Sequence, residues 1–371
     1  MATENPARSS VISRNALIFI AVILGVAALY WLKPILTPLA LALFLLVMID
    51  SFARVLRSRA PFLPHWAPLP LALTLSLLAF GLTVFIVADN TTTFVGQISD
   101  YAERLNGLIA RVAAAIGVQV PPTVDQLFAR LNPTRYLGAF AQGLQGFVSN
   151  AVFVLIYLGF LIASKTGFER KTVRLFPHRH ERQEAVEVFT RIRNGVERYL
   201  WIQTVTGAII AVASWAVMAA VGLDNAFFWA FLIFVAGYIP VIGGAVGVLL
   251  PPVFALVQFN GFWQAGVLFA ALNIINFVVG NIILPRMQGD SLNMDPVVVL
   301  LSLAFWGALW GLAGAFLSTP LTVMTMIILA QFEGTKWIAI LLSSNGDPLG
   351  AQHFPAAEPD PRNHEQPAAG K

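Results

Sequence analysis

The sequence lacks cysteine altogether, and only 11% of its 371 residues are charged. The absence of cysteine excludes disulfides, thiolate metal sites and a cysteine nucleophile. Of its five histidines, only His178 and His180 stand close together, in a loop rich in proline and arginine. We therefore expect no metal site and no bound cofactor.

Apolar residues dominate the chain instead. The residues A, V, I, L, M, F, W, Y and C make up 57% of it, and its mean hydropathy is +0.75. They gather in runs, several of which are long enough to cross a hydrocarbon core ~30 Å thick. The runs cover residues 15–32, 34–49, 67–88, 147–163, 200–222, 226–257, 262–284 and 296–331. The pattern predicts an all-α, polytopic integral membrane protein with about eight transmembrane helices or half-helices.

The distribution of charge excludes other classes of protein. The net charge is +4, but lysine and arginine collect in the connections between apolar runs rather than on one face, so no nucleic-acid partner is expected. The sequence has no G-x-S-x-G motif, no histidine within the apolar runs and no intramembrane pair of aspartates, and we expect that the protein is not an enzyme. It also has no G-x-x-x-x-G-K-[ST] nucleotide-binding loop.

Lysine and arginine are most frequent after the second and fourth apolar runs, which predicts that both connections face the cytoplasm. Five regions follow. They are an N-terminal three-span region at 1–88, an outer amphipathic helical segment at 89–146, the fourth span with a basic cytoplasmic loop at 147–199, a membrane-embedded core at 200–335 and a disordered tail at 345–371. Apolar residues at every third or fourth position predict amphipathic helices at 92–116 and 186–200, packed either on the bilayer surface or on other protein.

Polar side chains are rare in the membrane-embedded core. The ionisable residues between positions 200 and 331 are Asp224, Arg286, Asp290 and Asp295. The last three share the connection 285–296, which is either an ordinary loop or a polar gate. Three amides, Asn273, Asn276 and Asn281, lie within one apolar run and need hydrogen-bond partners there. Such groups at bilayer depth either line a solute or ion path or bond neighbouring helices.

Two segments rich in glycine and proline interrupt the core. The first contains Pro240, Gly243, Gly244, Gly247, Pro251 and Pro252, and the second contains Gly307, Gly311, Gly314 and Pro320. Each has a G-x-x-x-G spacing that would also suit close packing of helices. Proline removes backbone hydrogen bonds, and unpaired backbone groups are tolerated in a membrane only beside protein or a wet cavity. We expect broken helices at 240–244 and at 307–320, close together in space, with a solute site between them.

The same segments carry a resemblance to a family. The residues are Tyr238-Ile-Pro-Val-Ile-Gly, Gly280-Asn-Ile-Ile-Leu-Pro-Arg-Met-Gln-Gly, Asp295-Pro-Val-Val-Val, Trp310-Gly-Leu-Ala-Gly and Pro320-Leu321. In this order they resemble the autoinducer-2 exporter (AI-2E) family of bacterial permeases. The resemblance implies eight spans in the cell inner membrane, cytoplasmic termini and a homo-oligomer, with a pentamer expected. Gly280 departs from the pattern, because such proteins commonly have an acidic residue before this asparagine.

The resemblance implies a permease or exporter that moves a small polar solute, such as the signalling molecule autoinducer-2, across the lipid bilayer. The alternative within the same family is a sodium/proton antiporter, which would need an ionisable group such as Asp290, Asp295 or Asp224. The candidate residues of the transport path are Pro240, Gly243, Gly244, Gly247, Asn273, Asn276, Asn281, Pro285, Arg286, Asp290, Asp295, Gly307, Gly311, Gly314 and Pro320.

Overall fold

The computed structural model describes residues 6–59, 70–78, 150–164, 178–259, 261–288 and 293–348, with isolated residues between these ranges. In the described ranges the regular elements are helices, and one isolated bridge joins Met294 and Ser343. The all-α fold class is therefore confirmed.

We number the helices in chain order. They are α1 (Pro6–Trp31), α2 (Lys33–Arg59), α3 (70–78), α4 (Asn150–Ser164), α5 (Arg179–Val221), α6 (Ala226–Ala236), α7 (Ile242–Gln258), α8 (Trp263–Val278), α9 (Pro296–Leu329) and α10 (Lys336–Leu342). A π-helical turn, Val279–Ile283, extends α8 into a last helical turn, Leu284–Gln288.

The helices have the lengths of a multi-pass membrane protein. Four of those described are long and apolar enough to cross a bilayer, namely Lys33–Arg59, Arg179–Val221, Trp263–Met287 and Pro296–Leu329. Four shorter apolar helices accompany them, at Ala16–Trp31, Asn150–Ser164, Ala226–Ala236 and Ile242–Gln258. The polytopic architecture predicted from hydropathy is thus confirmed.

Helix α5 is the longest of these helices, with 43 residues. At ~1.5 Å per residue it extends ~64 Å, about twice the thickness of a hydrocarbon core. It ends at Gly222, which adopts the left-handed conformation (φ 81°) that closes many helices. The predicted 186–200 helix is therefore the first half of α5. This half continues without a break into the apolar second half of the helix.

Helices α2 and α5 are joined by polar contacts at one end of the bundle. Ser51 Oγ donates to Glu197 Oε1 at 2.6 Å, and the Arg54 guanidinium pairs with the other carboxylate oxygen. We call this the Arg54 end. The opposite end, where α1 turns into α2 at Lys33, is the Lys33 end. Between them, Phe44 of α2 packs with Leu200 of α5 in a buried cluster.

Two helical hairpins enter the bundle from opposite ends. The first consists of α6 and α7, and its base lies at the C-terminal end of α5, where Gln258 donates to the Gly222 carbonyl at 2.9 Å. The second is α9 itself, which reverses at Gly311 into arms α9a (296–310) and α9b (312–329). Its tip lies beside Lys33 at the Lys33 end, while α9b passes Gly195 near the Arg54 end.

Three predicted segments lie partly or almost wholly outside the described residues. The helix at 92–116 lies almost wholly outside the described residues. The third apolar run, 67–88, is described mainly at 70–78, where it is helical. Of the predicted tail at 345–371, residues 345–348 are described, and Asn345 Oδ1 accepts a 2.6 Å hydrogen bond from Asn293. Residues 349–371 lie outside the description.

Candidate functional site

The tip of the first hairpin is a tight turn from Gly237 to Val241. Val241 has a positive φ of 65°, an unfavourable conformation for a β-branched residue, and it directly follows Pro240. A Cβ atom at Gly243 would lie 2.5 Å from Gly237 Cα, so a glycine is required where α7 starts back along α6. The predicted break at 240–244 is confirmed, and it begins at Gly237.

Only part of the first glycine and proline segment makes this turn. A Cβ at Gly244 would meet nothing within 4 Å, so this glycine takes no part in close packing within the described part of the chain. Gly247 is packed, since its Cβ would lie 3.4 Å from Ile233. Helix α7 continues through the buried Pro251 and Pro252, so these prolines do not break it. Their missing N–H groups instead leave two carbonyls of α7 without helical donors.

The second hairpin reverses at a single residue. Gly311 has φ 66° and ψ −142°, a conformation open almost only to glycine. Three residues later, Gly314 packs directly against the Trp306 carbonyl, where a Cβ would clash. Trp306 Nε1 also donates to Thr322 Oγ1 at 3.0 Å, although the two residues are 16 positions apart. These contacts establish two antiparallel arms within α9.

A break was expected between Gly307 and Pro320, and the reversal at Gly311 confirms it. Pro320 is fully buried inside α9b, so its ring does not mark the break. Gly307 is also less constrained than its G-x-x-x-G spacing suggested, since a Cβ there would lie 3.8 Å from Ala315 Cβ, an ordinary contact. The tip is held to α1 by Trp310, whose Nε1 donates to the Leu29 carbonyl at 3.1 Å.

The two hairpins meet at Tyr238, in the tip of the first. Its ring centroid lies 5.4 Å from that of Phe316, five residues beyond the Gly311 reversal. Its hydroxyl is 2.7 Å from Thr204 Oγ1 of α5, and Tyr199 of α5 donates to its carbonyl at 3.4 Å. We call this group, together with Gln203, the hairpin junction. The prediction that the two breaks lie near one another is confirmed here.

The chemistry of the hairpin junction is polar and uncharged. Gln203 Nε2 donates to the Gly237 carbonyl, and the hydroxyls of Tyr199, Thr204 and Tyr238 are the other hydrogen-bonding side-chain groups. Hydroxyl and amide groups can exchange partners with a hydroxylated solute without changing net charge. The junction is therefore suited to hydrogen-bonding recognition rather than to covalent chemistry.

Comparison with known proteins places the chain in a family. The model of the AI-2E family of transporters matches residues 18–334. The protein belongs to the AI-2E family. It is 30% identical to the AI-2 transport protein TqsA of Escherichia coli over 320 residues, which cover 83% of this chain and 89% of that one. It is 28% identical to a Haemophilus influenzae protein provisionally named a transport protein, over 90% of this chain and 97% of the other.

A further relative, the Escherichia coli protein YhhT, also carries a provisional transport name and is 26% identical over 85% of this chain. The family and the apolar helices together establish a multi-pass membrane transporter rather than an enzyme. The resemblance inferred from the glycine and proline segments is thereby confirmed.

The asparagines of this AI-2E transporter obtain partners from their own helix. Each side-chain Nδ2 donates to the carbonyl four residues earlier, at 2.7 Å for Asn273, 2.9 Å for Asn276 and 3.0 Å for Asn281. Asn276 is half-buried and faces the first hairpin, because its Nδ2 lies 3.8 Å from the Cβ position at Gly247. Asn273, Asn281 and Gly280, which stands where an acidic residue was expected, are exposed.

The charged candidates take up positions at the ends of helices. Asp295 caps α9, since its Oδ1 accepts from the Val297 N–H at 2.7 Å. Pro285 and Arg286 are exposed within the last helical turn, Leu284–Gln288, so the connection before α9 is shorter than predicted. Asp224 is exposed at the base of the first hairpin, and Asp290 lies outside the described residues.

The residues of α5 at the hairpin junction were missed by the sequence prediction. Tyr199 and Gln203 stand at the start of an apolar run four residues apart, a spacing that places them on one face of α5, and Thr204 follows directly. That pattern was available in the sequence. Nothing in it, however, indicated that the tip of a distant hairpin would be the partner.

Proposed function

We propose that the protein carries a small, polar, uncharged solute across the bacterial inner membrane by way of the hairpin junction. The observation that carries the proposal is the composition of that junction. Two broken hairpins and α5 converge at Tyr238, and the hydrogen-bonding groups there are neutral hydroxyls, an amide and backbone carbonyls. Broken helices that meet inside a membrane protein are typical of solute sites in transporters.

Autoinducer-2 is the first substrate to test. TqsA of Escherichia coli, which is 30% identical to this chain, is named an AI-2 transport protein. A small furanone that bears hydroxyl groups suits a site made of hydroxyl and amide partners. The other sequence-derived candidates near the junction are Pro240, Gly243, Gly247 and Asn276, and we retain them as residues that shape the path.

The test is uptake of autoinducer-2 into proteoliposomes by the purified protein. Thr204→Val removes the hydroxyl that contacts Tyr238, and Thr325→Val is a matched control, because Thr325 bonds its own helix in the same way but stands in α9b. Loss of a neutral hydrogen bond should lower uptake by Thr204→Val about two- to tenfold. Thr325→Val should transport like the unaltered protein. Equal uptake by both variants would refute a solute site at the junction.

The same vesicles test the sodium/proton alternative. A pH-sensitive dye is enclosed and sodium is added outside, and our proposal expects no proton movement that depends on the protein. Asp295→Asn should leave autoinducer-2 uptake intact, because Asp295 caps α9 rather than contributing to the hairpin junction. The proposal expects the same of Asp290→Asn. A sodium-driven pH change that Asp290→Asn or Asp295→Asn abolishes would replace our proposal with antiport.

The orientation proposed for the chain puts residues 89–146 outside and 164–199 in the cytoplasm, with both termini cytoplasmic. Because the native sequence has no cysteine, single cysteines give an unambiguous labelling test. An impermeant maleimide on intact cells should label Ala110→Cys and spare Arg170→Cys. The reverse labelling would invert the orientation. Assembly into a homo-oligomer, with a pentamer expected, is a separate proposal that mass measurement in detergent can check.

A further inference from the structure

A groove of about 540 Å³ lies on the surface between α1 and the first arm of the second hairpin. Its walls include Val22, Val26, Ala27 and Tyr30 from α1 and Ala308 and Leu309 from α9a. Apart from the Tyr30 hydroxyl, the side chains of these residues are apolar. The apolar lining of the groove suits the hydrocarbon interior of a bilayer.

The length of the groove matches one leaflet of a bilayer. From Val22 to Tyr30 the helix rises ~12 Å, slightly less than the ~15 Å that is half of a hydrocarbon core. The end of the groove near Tyr30 is also the end of α1, where Trp31 is 80% exposed. Exposed tyrosine and tryptophan at the end of a spanning helix mark the level of the lipid headgroups. The groove therefore runs inward from that level.

A cation, Lys33, lies close to this end of the groove. Lys33 lies three residues beyond Tyr30, and Gly311 lies two residues beyond Leu309. The two elements are still in contact there, since Lys33 Nζ is 3.9 Å from the Cβ position at Gly311. Among the side chains that the structure describes, no carboxylate forms an ion pair with Lys33. At the headgroup level a lipid phosphate is available as an anionic partner for an ammonium group.

We propose that an anionic phospholipid binds here, with one acyl chain in the groove and its phosphate on the Lys33 ammonium. The site brings together an apolar surface of the right length and a positive charge at its headgroup end. The lipid would also stabilise the second hairpin, because Lys33 Nζ lies 3.9 Å from the Cβ position at Gly311, the residue at which α9 reverses. The inference does not depend on which solute the protein carries.

The test is native mass spectrometry of the detergent-purified protein titrated with phosphatidylglycerol or phosphatidylcholine. One phosphatidylglycerol should be retained per protomer, and phosphatidylcholine should bind more weakly. Lys33→Gln should weaken phosphatidylglycerol binding about five- to tenfold, and Lys33→Arg should restore it. Ala308→Phe should block binding by filling the groove. The matched controls are Lys336→Gln, on exposed α10, and Ala220→Phe, on an exposed face of α5, and both should bind normally.

A second measurement needs no variant. Phosphatidylglycerol with a photoactivatable acyl chain should crosslink to peptides that contain residues 22–30 or 308–309, and an excess of glycerol phosphate should not prevent it. Competition by glycerol phosphate would indicate a simple anion site. Crosslinks confined to other helices, a second copy of the chain crosslinked through the groove, or equal binding by Lys33→Gln and the unaltered protein would each overturn the proposal.

Discussion

The ring of Tyr238 packs against the ring of Phe316 with 5.4 Å between their centroids and an angle of 31° between their planes. This contact joins the tip of one hairpin to the arm of the other. Because the hairpins enter from opposite ends, a path that opens at the junction has to separate these two rings or move them together. The hydroxyl of Tyr238 adds a second attachment, to Thr204 of α5.

The bond between Tyr238 and Thr204 should appear as an energetic coupling. Tyr238→Phe keeps the ring on Phe316 but removes the hydroxyl, and Thr204→Val removes the other partner. We expect each single variant to destabilise the protein, and the double variant to lose about 1 kcal/mol less than the sum. The free energy of unfolding in mixed micelles measures this. Additive losses would mean that the two hydroxyls do not interact.

Gly243 is closely packed, whereas its neighbour Gly244 faces open space, so substitutions at the two positions form a matched comparison. Gly243→Ala should lower the free energy of unfolding by about 1–3 kcal/mol, because the new Cβ meets the backbone of Gly237 and Ala236. Gly244→Ala should change it by less than about 0.5 kcal/mol, since its Cβ meets open space. Thermal melts followed by size-exclusion chromatography compare the two. A greater loss in Gly244→Ala would contradict the tip geometry.

The reversal of α9 depends on the conformation of Gly311 rather than on available space. Gly311→Ala should lower the free energy of unfolding by about 1–3 kcal/mol, because its φ of 66° strains any residue with a Cβ. Gly307→Ala is the control within the same G-x-x-x-G spacing, and its Cβ would make an ordinary contact with Ala315. We expect Gly307→Ala to melt like the unaltered protein. If the two variants melted alike, α9 would have no reversal at Gly311.

Asp295 should act through its hydrogen bond and not through its charge. Asparagine is as good a helix cap as aspartate, so Asp295→Asn should keep both stability and transport. Asp295→Ala loses the bond to the Val297 N–H and should cost about 0.5–2 kcal/mol of unfolding free energy. Melting and uptake are measured on the same preparations. A loss of uptake in Asp295→Asn at normal stability would point instead to a coupled ion.

The sequence predicted the class of fold and the positions of both hairpin tips because these follow from local properties. Long apolar runs predict spanning helices. Pro240 restricts the backbone conformation at its own position, and Gly311 permits backbone conformations that other residues avoid. Proline was less reliable where its ring fits a helix, as Pro251 and Pro320 show. The effect of a proline depends on whether the backbone carbonyls that it leaves without a donor find other hydrogen-bond partners. That depends on tertiary packing.

The contacts of the site were harder to predict, for a physical reason. Gly243 and Gly244 are identical as sequence, yet only the first faces the backbone of α6. A helix places adjacent residues on sides that differ by 100°, so the packed glycine is known only when the neighbouring helix is in place. The same holds for Gln203, whose partner is the Gly237 carbonyl 34 residues away.

Because α5 is one continuous helix, a movement of its second half also moves its first half. Tyr199, Gln203 and Thr204 sit just after the residues that project beyond the apolar run, and no break in the helix separates them from Arg179. A small tilt of α5 at the junction therefore displaces the far end of this helical segment, ~30 Å away, by a larger distance. Pairs of spin labels near Glu184 would report hairpin movements inside the membrane from a position in water.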